Sequence, residues 1–295
     1  MVIRSFPRTV ALLVARILAF LALVVLAMGF LMPVLRNARE RLLAPSDFDT
    51  LALGSIAALA AALAATVLCM KFFERLRWVD VGLWWRPATQ WNLAAGLFAG
   101  LVSAGVATVV PVLFGAGEFL PVTSSNADLP QLIYFLVVIA IAAAGEDLQF
   151  RGYLFQVLVR ATGIIPALLI TGALFGMLHL GNPGSSRLGT LNTVLAGVVL
   201  GYAFWRSRDL WLPIGAHIGW NCVFPLVGDE LSGIGVHLTG YRIFWKSAAL
   251  WHGGSYGPEA GLYGTAGLLA MLVLVRRLPV KRQDALLLES GATPL

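Results

Sequence analysis

Apolar runs of about twenty residues recur along this chain, and roughly 20 consecutive apolar residues are what a helix needs to cross a bilayer. They fall at 9–35, 50–70, 92–114, 129–148, 164–181, 189–205, 211–228 and 261–277 of the 295 residues. Lipid admits only helices or closed barrels, and these runs are too long for barrel strands. The expected fold is therefore all-α: a polytopic membrane protein with about eight transmembrane helices. Composition agrees, since 59% of the residues are hydrophobic and 12% charged, against about 45–50% apolar in a soluble domain. Cys69 and Cys222 lie far apart in apolar runs and read as small buried hydrophobes.

The first run follows Arg4 and Arg8, is too long for a signal-peptide core, and has no small-residue cleavage site after it. It reads as a retained first span. Arg16 inside it is expected to snorkel to the headgroups without a partner. Lys and Arg concentrate in alternate connections: Lys71, Arg75, Arg77 and Arg86; Arg151 and Arg160; Arg206 and Arg208; Arg276, Arg277, Lys281 and Arg282. The positive-inside rule then places both termini in the cytoplasm. That distribution also accounts for the net charge of +6. No basic stripe with interleaved aromatics calls for a nucleic-acid partner, so the partner read from composition is the bilayer itself.

Trp78, Trp84, Trp85 and Trp91 mark a surface-lying segment near 79–92. Gly96-x-x-x-Gly100 and Gly197-x-x-x-Gly201 permit close helix contact, expected within the one chain. His237 and His252 of the 229–260 loop read as solvated, and the tail after Pro279 as mobile.

Against this apolar background, three stretches carry groups that hydrocarbon disfavours. They are Glu146-Asp147-Leu148-Gln149-Phe150-Arg151, Phe175-Gly176-Met177-Leu178-His179 and His217-Ile218-Gly219-Trp220-Asn221. A charged side chain at membrane depth costs about 2.5–3.5 kcal/mol on insertion scales, so each is a functional hypothesis. Asp147 and Arg151 are i and i+4 and can pair. Glu146 faces about 100° away from Asp147 and is left as a candidate general base. Phe175 sits one turn before His179 on the same face. His217 and Asn221, again i and i+4, can both donate to one oxygen, as an oxyanion hole requires. Each cluster alone also has a structural reading, as a helix-end charge or an interhelical hydrogen bond.

In order and spacing the three stretches match Glu-Glu-x-x-x-Arg, Phe-x-x-x-His and His-x-x-x-Asn. By them the chain resembles the CPBP (CAAX protease and bacteriocin-processing) family of intramembrane proteases, type II CAAX endopeptidase-like, over about residues 80–228. Asp147 departs from the family's usual Glu. The resemblance implies an intramembrane endopeptidase acting on a membrane-associated peptide or protein substrate. Glu146 would activate water, His179 would hold it, and His217 and Asn221 would stabilise the oxyanion, with Asp147, Arg151 and Phe175 positioning them. Glu146, His179 and His217 also make a His₂Glu set of the kind that holds zinc in soluble proteases, so metal-assisted and metal-free chemistry both stay open. Segments follow: 1–78 as an N-terminal two-helix segment, 79–228 as the catalytic core, and 229–295 as loop, final span and cytoplasmic tail.

A simple arrangement of spans puts Glu146 and His217 near the cytoplasmic side and His179 near the other. A hairpin at Thr162-Gly163 brings Glu146 and His179 level, being 16 and 17 residues from Thr162. The sequence thus predicts a long fourth helix running on toward Arg160. Ala, Leu and Arg usage points to the plasma (inner) membrane of a prokaryote, where a prenylated substrate does not fit. Two competing readings are a catalytically inactive scaffold or immunity protein and a proton-coupled transporter; neither inverted repeats nor broken helices speak for the latter.

Overall fold

The computed structural model describes residues 6–42, 49–122, 129–236 and 238–289. Its order is α1 (Phe6–Leu42), α2 (Asp49–Cys69), α3 (Pro87–Ala107), α4 (Val109–Leu113), β1 (Gly117–Pro121), α5 (Leu129–Asp147), α6 (Leu154–Thr162), α7 (Ile164–Leu178), α8 (Arg187–Ser207), α9 (Trp211–Leu226), β2 (Tyr241–Trp245), α10 (Ala249–His252), α11 (Leu262–Arg277) and α12 (Leu286–Glu289). The all-α expectation holds. Among the described residues five helices are long and apolar enough to cross a membrane: Val10–Glu40, Leu51–Glu74, Pro87–Leu113, Leu129–Thr162 and Arg187–Ser207. The three shorter apolar helices α7, α9 and α11 have 15, 16 and 16 residues. With them the fold is compatible with the expected eight spans, of which five are long enough by themselves.

The predicted long fourth helix is present. α5 runs through a π-helical turn, Leu148–Tyr153, into α6, so that the apolar helix extends from Leu129 to Thr162 with a kink at that turn. Gly152 within that turn has non-helical backbone (φ −72°, ψ −119°). Such π turns arise where an extra residue is accommodated in a helix, often at functional sites. The hairpin turns at Gly163, whose φ of +86° an L side chain rarely adopts. Glu146 therefore sits near the middle of its helix, level with the end of α7.

Glycines set how closely the helices approach. Gly96 and Gly100 of α3 face Gly215 and Gly219 of α9 across a close backbone-to-backbone contact. A Cβ on Gly96 would stand 2.2 Å from the Leu212 carbonyl oxygen, and one on Gly215 2.3 Å from that of Leu93. α9 is thereby held backbone to backbone by one face. Residues 217 and 221 lie on its opposite side and Trp220 on its flank, and all three line the cavity described below. Gly197 and Gly201 do the same for α8 against Gly172 and Leu168 of α7. Both glycine pairs thus serve packing within the chain.

Three local expectations need correction. Arg16 does have a partner. Its Nε lies 3.5 Å from Glu74 Oε1, Arg160 Nη1 lies 2.7 Å from Glu74 Oε2, and the Tyr153 hydroxyl donates to Oε1 at 3.1 Å. A buried carboxylate thus ties α1 and α6 to the end of α2, a partner so far along the chain that nothing local to Arg16 announces it. The segment after Pro279 is anchored over its described residues, 280–289. Trp91 Nε1 donates to the Pro279 carbonyl, Asn92 exchanges hydrogen bonds with the Lys281 backbone, and Leu287 is fully buried. His252 is half-buried and stacks on Trp245 (centroids 5.5 Å, planes 7° apart). His237 lies outside the described residues.

The connection after α9 is built rather than open. β2 pairs antiparallel with β1, Gly117 opposite Trp245 and Pro121 opposite Tyr241. Asp229, Leu231, Val236 and Tyr256 are all buried. α9, at 1.5 Å per residue, spans only about 24 Å of a roughly 30 Å hydrocarbon layer. Irregular backbone is tolerated at such depth where protein buries it.

Candidate functional site

The three motif helices converge on one cavity of about 570 Å³. Glu146 reaches it from the end of α5, His179 from the end of α7, and His217 and Asn221 from the inward face of α9. Apolar side chains of α1, α2, α5 and α11 form much of the remaining wall, among them Val24, Ile139, Leu268 and Met271.

Asp147 is the hinge of the arrangement. It is fully buried, with Oδ1 3.2 Å from Arg151 Nη1 and Oδ2 3.2 Å from His217 Nδ1. Spacing alone pairs this carboxylate with Arg151; in the fold it serves both groups, each oxygen taking one. Arg151, 1% exposed, also donates from Nη2 to the Gly197 carbonyl at 3.3 Å. Its guanidinium stands over the Phe175 ring, 4.5 Å from the centroid, a distance at which a cation gains from the ring quadrupole. Phe175 in turn packs at 4.7 Å from the His179 ring and 6.1 Å from that of His217. It is the apolar side chain that both imidazoles pack against.

Hydrogen bonding settles what the imidazoles can offer. His179 Nδ1 lies 2.8 Å from the Phe175 carbonyl oxygen. A carbonyl only accepts, so the proton is on Nδ1 and the Nε2 lone pair is free. His217 presents Nδ1 to Asp147, and its Nε2 lies 3.7 Å from Glu146 Oε2, inside ion-pair range but longer than a hydrogen bond. Glu146 is about one-third exposed, facing the cavity, whereas Asp147 beside it is sealed. Adjacent carboxylates are thus sorted into one that can meet a ligand and one that cannot. Among the described residues no group of three or more His, Cys, Asp or Glu stands where it could hold a metal ion. Glu146, His179 and His217 as they stand do not assemble a His₂Glu set, and no step below is routed through a metal.

The motifs left one part of the lining unseen. Glu259, in a short turn Pro258–Ala260 before α11, and Ser232, in the loop after α9, both line the cavity. Neither has a spacing relation to the motifs that would have flagged it.

The fold and this cavity define a multi-pass helical membrane protein with a carboxylate–imidazole centre sunk among its helices. Residues 128–223 match the family model Type II CAAX prenyl endopeptidase Rce1-like. Every motif residue named above falls inside that segment. The chain is 26% identical over 130 residues to the Bacillus subtilis (strain 168) protein named "Putative membrane peptidase YdiL", covering 43% of this chain and 51% of that one. The chain spans about half the length of that curated relative. No solved structure matches it. Both matches are to proteins named as peptidases, and the 128–223 segment that matches the family model holds all three motifs.

Proposed function

We propose that the protein is an intramembrane endopeptidase that hydrolyses a peptide bond of a membrane-associated substrate with water activated by Glu146. The observation that carries this reading is the approach of Glu146 to His217 at 3.7 Å in a cavity that His179 and Asn221 also line.

A water in that cavity donates one hydrogen to the His179 Nε2 lone pair and gives the other to Glu146 as its oxygen attacks the carbonyl carbon. The tetrahedral oxyanion accepts from the Asn221 amide and from His217 Nε2. Since Nδ1–H of His217 goes to Asp147, the ring carries protons on both nitrogens for that donation. Collapse breaks the C–N bond, and the proton taken by Glu146 passes to the leaving amine. Preorganised donors of this kind typically contribute about 10²–10³ in rate. Asp147 and Arg151 hold the His217 ring and the helix turn in place.

Glu146→Gln tests the reading. Membranes of bacterial cells expressing either form are compared for newly created peptide termini. Termini present with the wild type should vanish with Glu146→Gln, at equal yield and thermal midpoint. The same termini in both would remove Glu146 from the reaction. A scaffold or transport role predicts that the variant keeps full biological effect.

A further inference from the structure

We infer that Glu259 is a positioning residue that fixes the wall of the cavity beside His217 and Asn221, and so governs how tightly substrate is held. This rests on the peptidase reading for its consequence, though not for its geometry. Both carboxylate oxygens are engaged by donors. Oε1 accepts from the Trp220 indole N–H at 2.8 Å, and Oε2 accepts from the Ser232 backbone N–H at 2.7 Å and its hydroxyl at 2.8 Å. Trp220 stands on α9 next to Asn221 and lines the cavity, as do Ser232 and Glu259 themselves.

The same turn is tied at its backbone. Asn192 of α8 donates from Nδ2 to the Glu259 carbonyl at 2.8 Å and to that of Gly261 at 2.9 Å. Ser232 is held from the other direction, its carbonyl accepting from Asn182 Nδ2 at 3.1 Å, three residues beyond His179. One side chain therefore links the helix of His217 and Asn221, the loop after α9 and, through Ser232, the turn that follows His179. The residues on which this depends, 232 and 259, lie beyond the 128–223 segment that matches the family model.

The chemistry of the clamp is specific to a carboxylate. All three partners donate, so a carboxylate satisfies them at both oxygens. Glutamine has the same shape but must turn its NH₂ toward either the indole N–H or the Ser232 N–H, leaving donor against donor. Aspartate keeps the charge but falls one methylene short.

The test uses the full chain in lipid nanodiscs, comparing wild type with Glu259→Gln, Glu259→Asp and Ser232→Ala. The first readout needs no activity: hydrogen exchange over residues 229–236, with the Trp220 indole N–H resolved by ¹⁵N-tryptophan labelling and assigned with Trp220→Phe. Glu259→Gln should speed exchange at the Ser232 amide about tenfold or more, in line with an orphaned buried hydrogen bond, and move the indole resonance. Ser232→Ala, which removes one of three donors, should do less. The second readout takes a peptide bearing the cleavage site found in the Glu146→Gln comparison. KM should rise about tenfold in Glu259→Gln while kcat stays within about threefold, the partition expected for lost uniform binding. Glu259→Asp should restore part of both. Unchanged exchange in Glu259→Gln overturns the clamp. Faster exchange with kcat falling at constant KM overturns the assignment to substrate holding and moves Glu259's influence to the chemistry. Should no wild-type cleavage be found, the peptidase reading fails, and with it the substrate-holding role, while the exchange result still decides the clamp.

Discussion

Gly100→Ala should damage the protein through a single methyl group, and the structure says by how much. That Cβ would stand 2.1 Å from the Ala216 carbonyl oxygen and 2.6 Å from the Trp220 nitrogen. A relaxed carbon–oxygen contact is about 3.3–3.6 Å. The two helices must therefore part by about 1 Å, and because backbone meets backbone no rotamer can absorb the overlap. Overpacking of this kind costs about 1–3 kcal/mol. Against it stands the gain from replacing a helical glycine by alanine, about 0.5–1 kcal/mol. Gly105 supplies the control: it lies in the same helix, and a Cβ there meets nothing within 4 Å. Gly105→Ala should be neutral or stabilising, and Gly100→Ala destabilising by about 1–2 kcal/mol net after that gain. Thermal or SDS-induced unfolding in detergent micelles measures both. Activity should fall further than stability, because α9 carries His217 and Asn221, and about 1 Å of misplacement can cost 10²-fold in rate. If the two alanine variants unfold alike and cleave alike, the glycine face of α9 does not set the position of the site.

Arg151→Met removes the cation from a pair whose members are 1% and 0% exposed. It leaves Asp147 buried without its cation, and should cost about 3–5 kcal/mol in the same unfolding assay; a loss below about 1 kcal/mol would contradict a structural role for the Arg151–Asp147 pair. Asp209, which caps α9 through the Trp211 and Leu212 amides and accepts from Asn92 at 2.5 Å, is raised to about 6 by burial, which outweighs those bonds. The unfolded chain ionises this group first, so its contribution is present below about pH 4 and is lost as pH rises through about 6. Relative to Asp209→Asn, the wild type should lose on the order of 2–3 kcal/mol across that window; a flat or rising difference in unfolding midpoint would contradict the burial argument.

What the sequence made legible followed from periodicity and from polarity out of place. Apolar run length gave the helices, and the distance from Glu146 to Gly163 gave the long bent fourth helix, because geometry along one chain is nearly fixed by residue count. Long-range pairings were not legible in this way. Nothing near Arg16 in sequence announces Glu74, and nothing near Trp220 announces Glu259, since each pair meets only after helices have packed. Glycine was half legible. The spacing of Gly96 and Gly100 is readable, whereas the matching pair Gly215 and Gly219, just before and within the His217–Asn221 stretch, is overshadowed by its polar residues. Those two glycines aim the motif, by pressing the opposite face of α9 against α3.

Asp147 shows how a departure in one residue acquires meaning from structure. By spacing alone it needed only to reach Arg151, and a side chain one methylene shorter than the family's Glu can do so at i,i+4. In the fold it must also meet His217, on a helix seventy residues away. A short carboxylate on the buried face of α5 manages both because the close α3–α9 contact fixes α9 from behind and the turn at Leu148–Tyr153 brings Arg151 back beneath it. The shorter acid and the bent helix are thus complementary. Asp147→Glu would push about 1.5 Å of extra chain into a space that is already full, a shift as large as those that cost cores about 1–3 kcal/mol. It should therefore move His217 toward Glu146 rather than leave the site unchanged. Measured stability and cleavage equal to wild type in that variant would show that the neighbourhood of Asp147 is loose, and that the ordering of Arg151, Asp147 and His217 does not depend on its length.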